Sequence, residues 1–325
     1  MATVSYVLNN GPRPVRPRTR ERVLAAVRML DYHPSAMARA LVHGRVNTIG
    51  VLFGLVEPAL VTNAFVTGIL EGVMTTAARR GYNVTLFTQP WKDAASSAAA
   101  FSDGRTDGVL IVAPLTSTDM VEGLSRLDLP QVVVSSPNPG ATGTPWVDVD
   151  NEFGSRLATE HLISLGHRRI GHLMGEEAQP SALERRRGFE EAMRAAGLDV
   201  PPAYLCPSTY AVRKGREDAL RLLRTEPRPT AIFAANDNLA LVALAAAREL
   251  GISVPEELSV VGFDDFPVAA MVTPALTTVR QPLAEIGQRA TTELIDRIEG
   301  VESAPLINRA SPDLVVRGTT APPPG

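Results

Sequence analysis

The chain has 325 residues, 45% hydrophobic and 21% charged, with a net charge of −3. That length allows a substantial buried core, more naturally two lobes than one. No apolar run approaches the ~20 residues that span a bilayer, and no early segment has the basic, apolar, small-residue order of a secretion signal. The single cysteine, Cys206, cannot form an intrachain disulfide, so a reducing cytoplasm is the expected location. The net charge hides an asymmetry. Residues 1–46 hold eight arginines (Arg13, Arg16, Arg18, Arg20, Arg22, Arg28, Arg39 and Arg45) against Glu21 and Asp31, a balance of +6 that leaves −9 for the rest. A basic head on an acidic body points to a polyanionic partner for the head, although a solvated basic helix has the same charge.

In chain order, MATVSYVLNN (1–10) reads as the inside of a helix. TRERVLAAVRML (19–30) is a second helix, with Thr19 as N-cap and Val23, Leu24, Val27 and Leu30 at helical spacing. Pro34 opens a short helix that Gly44 ends. Short apolar runs then alternate with longer amphipathic stretches. Strands are expected at 48–56, 83–88, 107–115 and 130–136, and helices at 63–81, 93–102 and 118–126, with Gly81, Gly104 and Gly108 where helices stop. The Pro/Gly segment PNPGATGTP (137–145) interrupts this rhythm, which then restarts. Helices are expected at 152–167, 182–198, 214–224, 239–251 and 284–300. Strands are expected at 168–175, loosely at 203–210, at 230–237, 258–265 and 276–282, and near 305–309 and 313–317. Apolar runs separated by helices indicate buried parallel strands in βαβ units, so the pattern is two successive doubly wound α/β halves. Ligands of such sheets sit beyond the carboxyl ends of the strands, and two facing halves leave a cleft.

Motifs for other chemistries are missing. There is no Walker loop, no GxGxxG after a strand, no Cys/His pair at zinc spacing and no Ser/His/Asp constellation. His161, His167 and His172 fall on a helix, its end and the next strand, which reads as structural rather than metal-binding. Cys206, beside Pro207, reads as filler. No catalytic residue, metal or cofactor is expected.

Seven blocks carry a family likeness: ATVSYVLN (2–9), TRERVLAAVRMLDYHPSAMARAL (19–41), NTIGVL (47–52), VDVDNEFGSRLATEHLISLGHRRIGHL (147–173), PTAIFAANDNLAL (229–241), PEELSVVGFDD (255–265) and TPALTTVRQP (273–282). In this order and spacing they make the chain resemble the lac-repressor/galactose-repressor family of bacterial transcription regulators over nearly its whole length. The resemblance implies an α/β core of two doubly wound parallel-sheet lobes, similar to type I periplasmic binding proteins. A partial, all-α helix-turn-helix headpiece and a hinge helix precede that core. The implied division is headpiece 1–33, hinge 34–46 and core 47–325, with lobe 1 over 47–147 plus 281–310 and lobe 2 over 148–280 plus the C-terminal strand. In the family ATVSYVLN lies on the recognition helix, so the likeness also implies that the preceding helix and turn are missing and that Val4, Val7 and Leu8 lack part of their packing partner.

On the DNA side the resemblance assigns Ala2 to a thymine methyl, Thr3 and Ser5 to phosphates or base edges, and Tyr6 to a base edge. Small Ala38 permits close approach of two hinge helices, Arg39 lies near phosphates, and Leu41 wedges into the minor groove. An exposed helix end without a role, and Leu41 as a linker residue packed on the core, remain open alternatives. For a small effector it assigns Arg185 as a fork onto hydroxyls or a carboxylate, with Asn236 and Asp264 at strand ends. Phe65, Tyr210 and Trp91 are stacking walls, Gln281 sits at a crossover, and Ser135 stands where some members carry an acid. Arg186 and Arg187 read as solvated, Asp237 as an N-cap, and capping is the competing reading for Asn236 and Asp264. The implied function is a homodimeric regulator, a repressor, whose operator binding responds to a small effector. A sugar suits these groups better than a purine-like ligand. The competing reading is an effector-binding protein with a non-functional headpiece. Induction versus co-repression and dimer versus tetramer stay open.

Overall fold

A strand buried on both faces has no solvent side to alternate toward, so its residues are apolar throughout. The computed structural model of the chain, which describes residues 4, 6–7, 14–31, 44–54, 60–127, 129–136, 143–209, 212–301 and 307–325, follows that logic. It divides into two units, Met1–Val46 and Asn47–Gly325.

In the first unit, helix α1 spans Pro17–Met29, with Arg16 at the N-cap and Pro17 at its first position. A proline there forgoes an N–H that would be unpaired anyway, and its fixed φ starts the helix early. Thr19 therefore lies inside the helix rather than capping it. Val23, Ala26, Val27 and Leu30 of this region, with Val4, line a shallow apolar groove. Val7 is buried and Val4 exposed, so Val7 has the packing that the sequence reading denied it, and Leu8 lies outside the described residues. The expected hinge helix (34–44) is also outside them, except Gly44 at φ +70°.

The second unit contains two six-stranded sheets. The first has the order β11-β5-β4-β3-β1-β2, from β1 (Thr48–Phe53), β2 (Asn83–Leu86), β3 (Gly108–Val112), β4 (Gln131–Val134), β5 (Trp146–Val149) and β11 (Ile307–Ala310). All its pairings are parallel. The second has the order β12-β10-β9-β8-β6-β7, from β6 (Ile170–Leu173), β7 (Leu205–Cys206), β8 (Ala231–Ala234), β9 (Ser259–Asp264), β10 (Thr277–Arg280) and β12 (Asp313–Val315). Only β12 there runs antiparallel, against β10. Strands β3, β4, β6, β8 and β9 are buried along their whole length.

Helices α2 (Ala64–Arg80), α3 (Ala94–Phe101), α4 (Met120–Ser125) and α10 (Leu283–Glu299) accompany the first sheet. Helices α5 (Asn151–Ser164), α6 (Pro180–Ala195), α7 (Val212–Leu223), α8 (Asp237–Glu249) and the short α9 (Pro267–Met271) accompany the second. The chain crosses between lobes three times: from β5 into α5, from β10 into α10, and from β11 into β12. None of the described helices is long and apolar enough to cross a membrane.

Several expectations need correction. Gly108 starts β3 instead of ending a helix, and its bare Cα faces Leu294 and Ile298 of α10. The expected strand at 203–210 shrinks to Leu205–Cys206 after a short 3-10 turn. Strand β5 and helix α9 had no counterpart in the sequence reading. Asp237 does not cap α8; Asn236 does, accepting from the Leu239 N–H at 2.9 Å.

Helices α2 and α10 press together at glycines. A Cβ on Gly72 would stand 1.9 Å from the Ala284 carbonyl oxygen, and one on Gly287 would stand 2.3 Å from that of Ile69. Neither obstacle is a side chain that can swing away. Gly72→Ala is expected to destabilise the protein by about 1–3 kcal/mol or more, read as a lower denaturation midpoint; an unchanged midpoint would contradict this packing.

Candidate functional site

Parallel strands deliver their carboxyl ends to one edge, and here the two sheets present those edges to a common cavity of about 450 Å³. The first lobe supplies Phe53 and Gly54 at the end of β1, Val112 and Ala113 at β3, Ser135 after β4, Asp148 of β5, and Asn63, Phe65 and Val66 at the start of α2. The second supplies Glu176, Gln179 and Ser181 before and at the start of α6, then Arg185 within it. Thr209, Asn236, Asn238, Asp264, Phe266 and Gln281 complete that wall.

Arg185 is the centre of the polar network. It is 5% exposed, and a guanidinium that far from water needs its hydrogen bonds and its charge answered locally. Nε donates to Asn151 Oδ1 at 2.9 Å, and Nη1 donates to the Ala235 carbonyl at 2.5 Å. Nη1 lies 3.8 Å from Asp264 Oδ1, and the guanidinium carbon stands 3.8 Å over the Phe263 ring. Asn151 is held in turn, its amide donating to Asp148 Oδ2 at 3.2 Å and Glu184 Oε2 at 3.1 Å. Glu184, itself buried, accepts from Arg309 of β11 at 2.7 Å. Gln281 donates to Asp264 at 2.5 Å. The network thus touches all three crossovers, through Asn151, Gln281 and Arg309.

Burial raises Asp148 from the ordinary 3.8 to about 7, and the neighbouring Glu184 adds to the shift. Burial also pushes Asp264 well above the usual carboxylate range, against the pull of Arg185. Asp237, behind the site, is raised for the same reason while accepting from the Phe266 N–H and the Thr278 hydroxyl. Three lining residues sit at positive φ without being glycine: Ala113 at +47°, Ser135 at +57° and Asp264 at +128°. Such strain gathers where a site needs a fixed geometry. The Ser135 hydroxyl is buried and has no hydrogen-bond partner among the described residues.

Of the effector residues expected from sequence, Phe65, Ser135, Arg185, Asn236, Asp264 and Gln281 line this one cavity. Trp91 does not. Its indole N–H donates to Asp119 at 2.7 Å and its ring lies 5.7 Å from that of Phe101, because it fills the space between α3 and α4. Tyr210 lies outside the described residues, as do Ala2, Thr3, Ser5, Ala38, Arg39 and Leu41, while Tyr6 is helical and half-buried. Arg186 and Arg187 pair with Glu190 and Glu152 on the surface. Each of the three described histidines has a structural partner: His161 meets Thr320, His167 meets Thr230 and Ser259, and His172 meets the Phe233 carbonyl between two phenylalanine rings. Asn63, Asp148, Glu176, Gln179, Ser181 and Thr209 were not foreseen as lining residues. Asp148 had a signal, since a carboxylate between Val147 and Val149 on a strand beside the cleft is out of place on an apolar run.

In the N-terminal unit, Arg18, Arg20, Arg22 and Arg28 are exposed along α1 against Glu21.

Comparison with known proteins gives a consistent picture. Residues 1–35 match the family described as bacterial regulatory proteins, lacI family, and residues 159–320 match a periplasmic binding protein-like domain. An HTH-type transcriptional repressor PurR from Haemophilus influenzae is 33% identical over 321 residues, covering 97% of this chain and 93% of that protein. The solved complex of the transcriptional regulator CelR with cellobiose superposes with a TM-score of 0.78 at 30% identity, covering 97% of this chain and 94% of that one. A lac repressor dimer bound to operator and the anti-inducer ONPF gives a TM-score of 0.83 at 26% identity, covering 98% and 95%.

The buried carboxylates set a pH dependence. Folded Asp148 keeps its proton to a higher pH than the unfolded chain does, so its stability contribution is complete below pH 4 and is lost as pH rises through 7. Asp148→Asn has no such titration. Relative to wild type its unfolding free energy is expected to improve by roughly 2–4 kcal/mol between pH 4 and pH 7–8, then level off; a pH-independent difference in denaturation curves would contradict it.

Proposed function

Because this chain belongs to the lacI family of bacterial regulatory proteins, we propose that it is a homodimeric transcriptional repressor whose grip on its operator responds to a sugar bound between the lobes. The observation that carries the proposal is the buried Arg185–Asn151–Asp264 cluster. It lies at the strand ends of two lobes, within reach of every crossover that joins them. A ligand that bridges both walls favours one lobe angle, and a two-state core transmits that preference to the segments that hold DNA. Relatives whose names mention cellobiose or ribose support a sugar as the effector.

In this reading the headpiece occupies 1–33, the hinge 34–46 and the effector core 47–325, with lobe 1 over 47–147 plus 281–310 and lobe 2 over 148–280 plus the last strand. Ala2, Thr3, Ser5 and Tyr6 face the operator, Arg39 meets phosphates, and Leu41 wedges the minor groove from a close hinge pair that Ala38 permits. The positive balance of residues 1–46 supplies the salt-dependent part of the affinity. Phe65, Ser135, Arg185, Asn236, Asp264 and Gln281 hold the effector, with Tyr210 beside them. The relatives are regulators, and we read this chain as a non-enzymatic regulator of the cytoplasm.

Titrating DNA from its own promoter region with the full chain tests the proposal. The operator affinity is expected to change by about tenfold or more when cellobiose, ribose or another bound sugar saturates the protein. Arg185→Ala is expected to keep salt-sensitive operator binding while losing the sugar response. Operator binding that Arg185→Ala leaves fully sugar-responsive would contradict it.

A further inference from the structure

We infer that Arg309, on the edge strand of the first lobe, is a positioning residue for Arg185: by neutralising Glu184 it keeps the Arg185 guanidinium available to the effector. The inference rests on the reading of this cavity as the effector site. Two of the five N–H groups of that guanidinium are bonded, one to Asn151 and one to the Ala235 carbonyl, which leaves three for a ligand. Where those three point depends on groups behind the cavity wall. Arg309, Glu184 and Asn151 are not among the described lining residues, yet they connect β11 of one lobe to α6 of the other.

Glu184 is the group that needs a counter-charge. It is buried, and its two oxygens are served separately: Oε1 accepts from Arg309 Nη2 at 2.7 Å, and Oε2 accepts from Asn151 Nδ2 at 3.1 Å. The other nearby cation, Arg187, stands 3.6 Å from Oε1, is more than half exposed, and gives its Nε–H to Glu152. Asn151 Nδ2 also donates to Asp148 at 3.2 Å, so one amide joins two carboxyl groups while its oxygen holds Arg185. Arg309 arrives from the strand beside Asp148, its register partner on β5, and its Nη1 stands 3.5 Å from Asp150 at the first crossover.

Without the Arg309 charge, Glu184 is a buried carboxylate beside a second carboxyl group, an arrangement that a low-dielectric interior strongly disfavours. Two responses are open. Asn151 can turn toward Glu184 and release the Arg185 Nε–H, or Arg185 can swing its spare N–H groups toward Glu184 as the replacement cation. Either response takes the guanidinium out of its place in the cavity. Neighbouring positions on a helix do not face each other, so Asn151 is what links residues 184 and 185 here. A charge on one lobe thereby fixes a ligand group on the other.

The test compares three full-length proteins: wild type, Arg309→Met, and the double variant Glu184→Gln/Arg309→Met. Glutamine keeps an acceptor for Asn151 and removes the charge that Arg309 answers. The first readout needs no ligand. The Arg185 Nε–H signal in nitrogen-correlated NMR spectra, assigned by its loss in Arg185→Lys, is expected to be protected from hydrogen exchange in wild type. Arg309→Met is expected to shift it and speed its exchange by about tenfold or more, and the double variant to restore it. The second readout is isothermal titration with cellobiose and ribose. Arg309→Met is expected to weaken the sugar that binds by about tenfold or more, and the double variant to return within about threefold of wild type. An unmoved Nε–H signal, or a moved signal with unchanged sugar affinity, overturns the inference and leaves the effector reading standing. A double variant as impaired as Arg309→Met also overturns it, because Arg309 then acts through packing rather than charge. If neither sugar binds wild type, the sugar reading of the cavity fails, and the Nε–H signal alone decides whether Arg309 positions Arg185.

Discussion

A guanidinium sealed from water makes demands on everything around it, and Arg185 is the group about which this core is organised. Removing a charge from solvent costs several kcal/mol unless neighbours replace the lost hydration. Here the replacement comes from an asparagine at one crossover, a carbonyl after β8 and the Asp264 carboxyl at the end of β9. Because Asn151 is itself held by Asp148 and by Glu184, which Arg309 engages from the other lobe, the arginine's position reports on how the lobes meet. Several buried charges in one connected network make poor stability but a sensitive joint.

The same region carries the backbone strain and the raised carboxylates. Ala113, Ser135 and Asp264 hold positive φ at three strand ends, and Asp148 is a buried carboxyl within a strand. A fold selected for stability alone would have removed these features; their concentration around one cavity is what a binding site that must change shape looks like. Away from it the packing is conventional. Parallel strands are apolar along their length, and helices α2 and α10 approach closely at glycines.

Most of the architecture was legible because period and length distinguish buried strands from amphipathic helices. The parts that escaped have physical reasons. Strand β5 is four residues long and sets an aspartate between two valines next to a Pro/Gly segment, so it resembled loop. Gly108 looked like a helix stop because glycine serves both chain reversal and close helix–strand approach, and only the partner, α10, decides between them. The N-cap of α8 falls on Asn236 instead of Asp237 because adjacent polar residues at a helix start differ by one position of register. Trp91 was given a place in the site on its chemistry, but its indole pairs with Asp119. Glu184 was invisible, since in a run of charged residues nothing marks the one that faces inward to meet Asn151 and Arg309. The six effector residues that do line the cavity came from resemblance to a family and from the rule that strand ends bear ligands, not from periodicity.

The central claim is that cavity and operator share one two-state equilibrium, and linkage makes that measurable from the ligand side. Sugar-binding isotherms should be recorded for the full chain alone and with saturating operator DNA. The account predicts that operator changes the sugar dissociation constant by about tenfold or more, matching the factor by which sugar changes operator affinity. Superimposable isotherms with and without operator would contradict it.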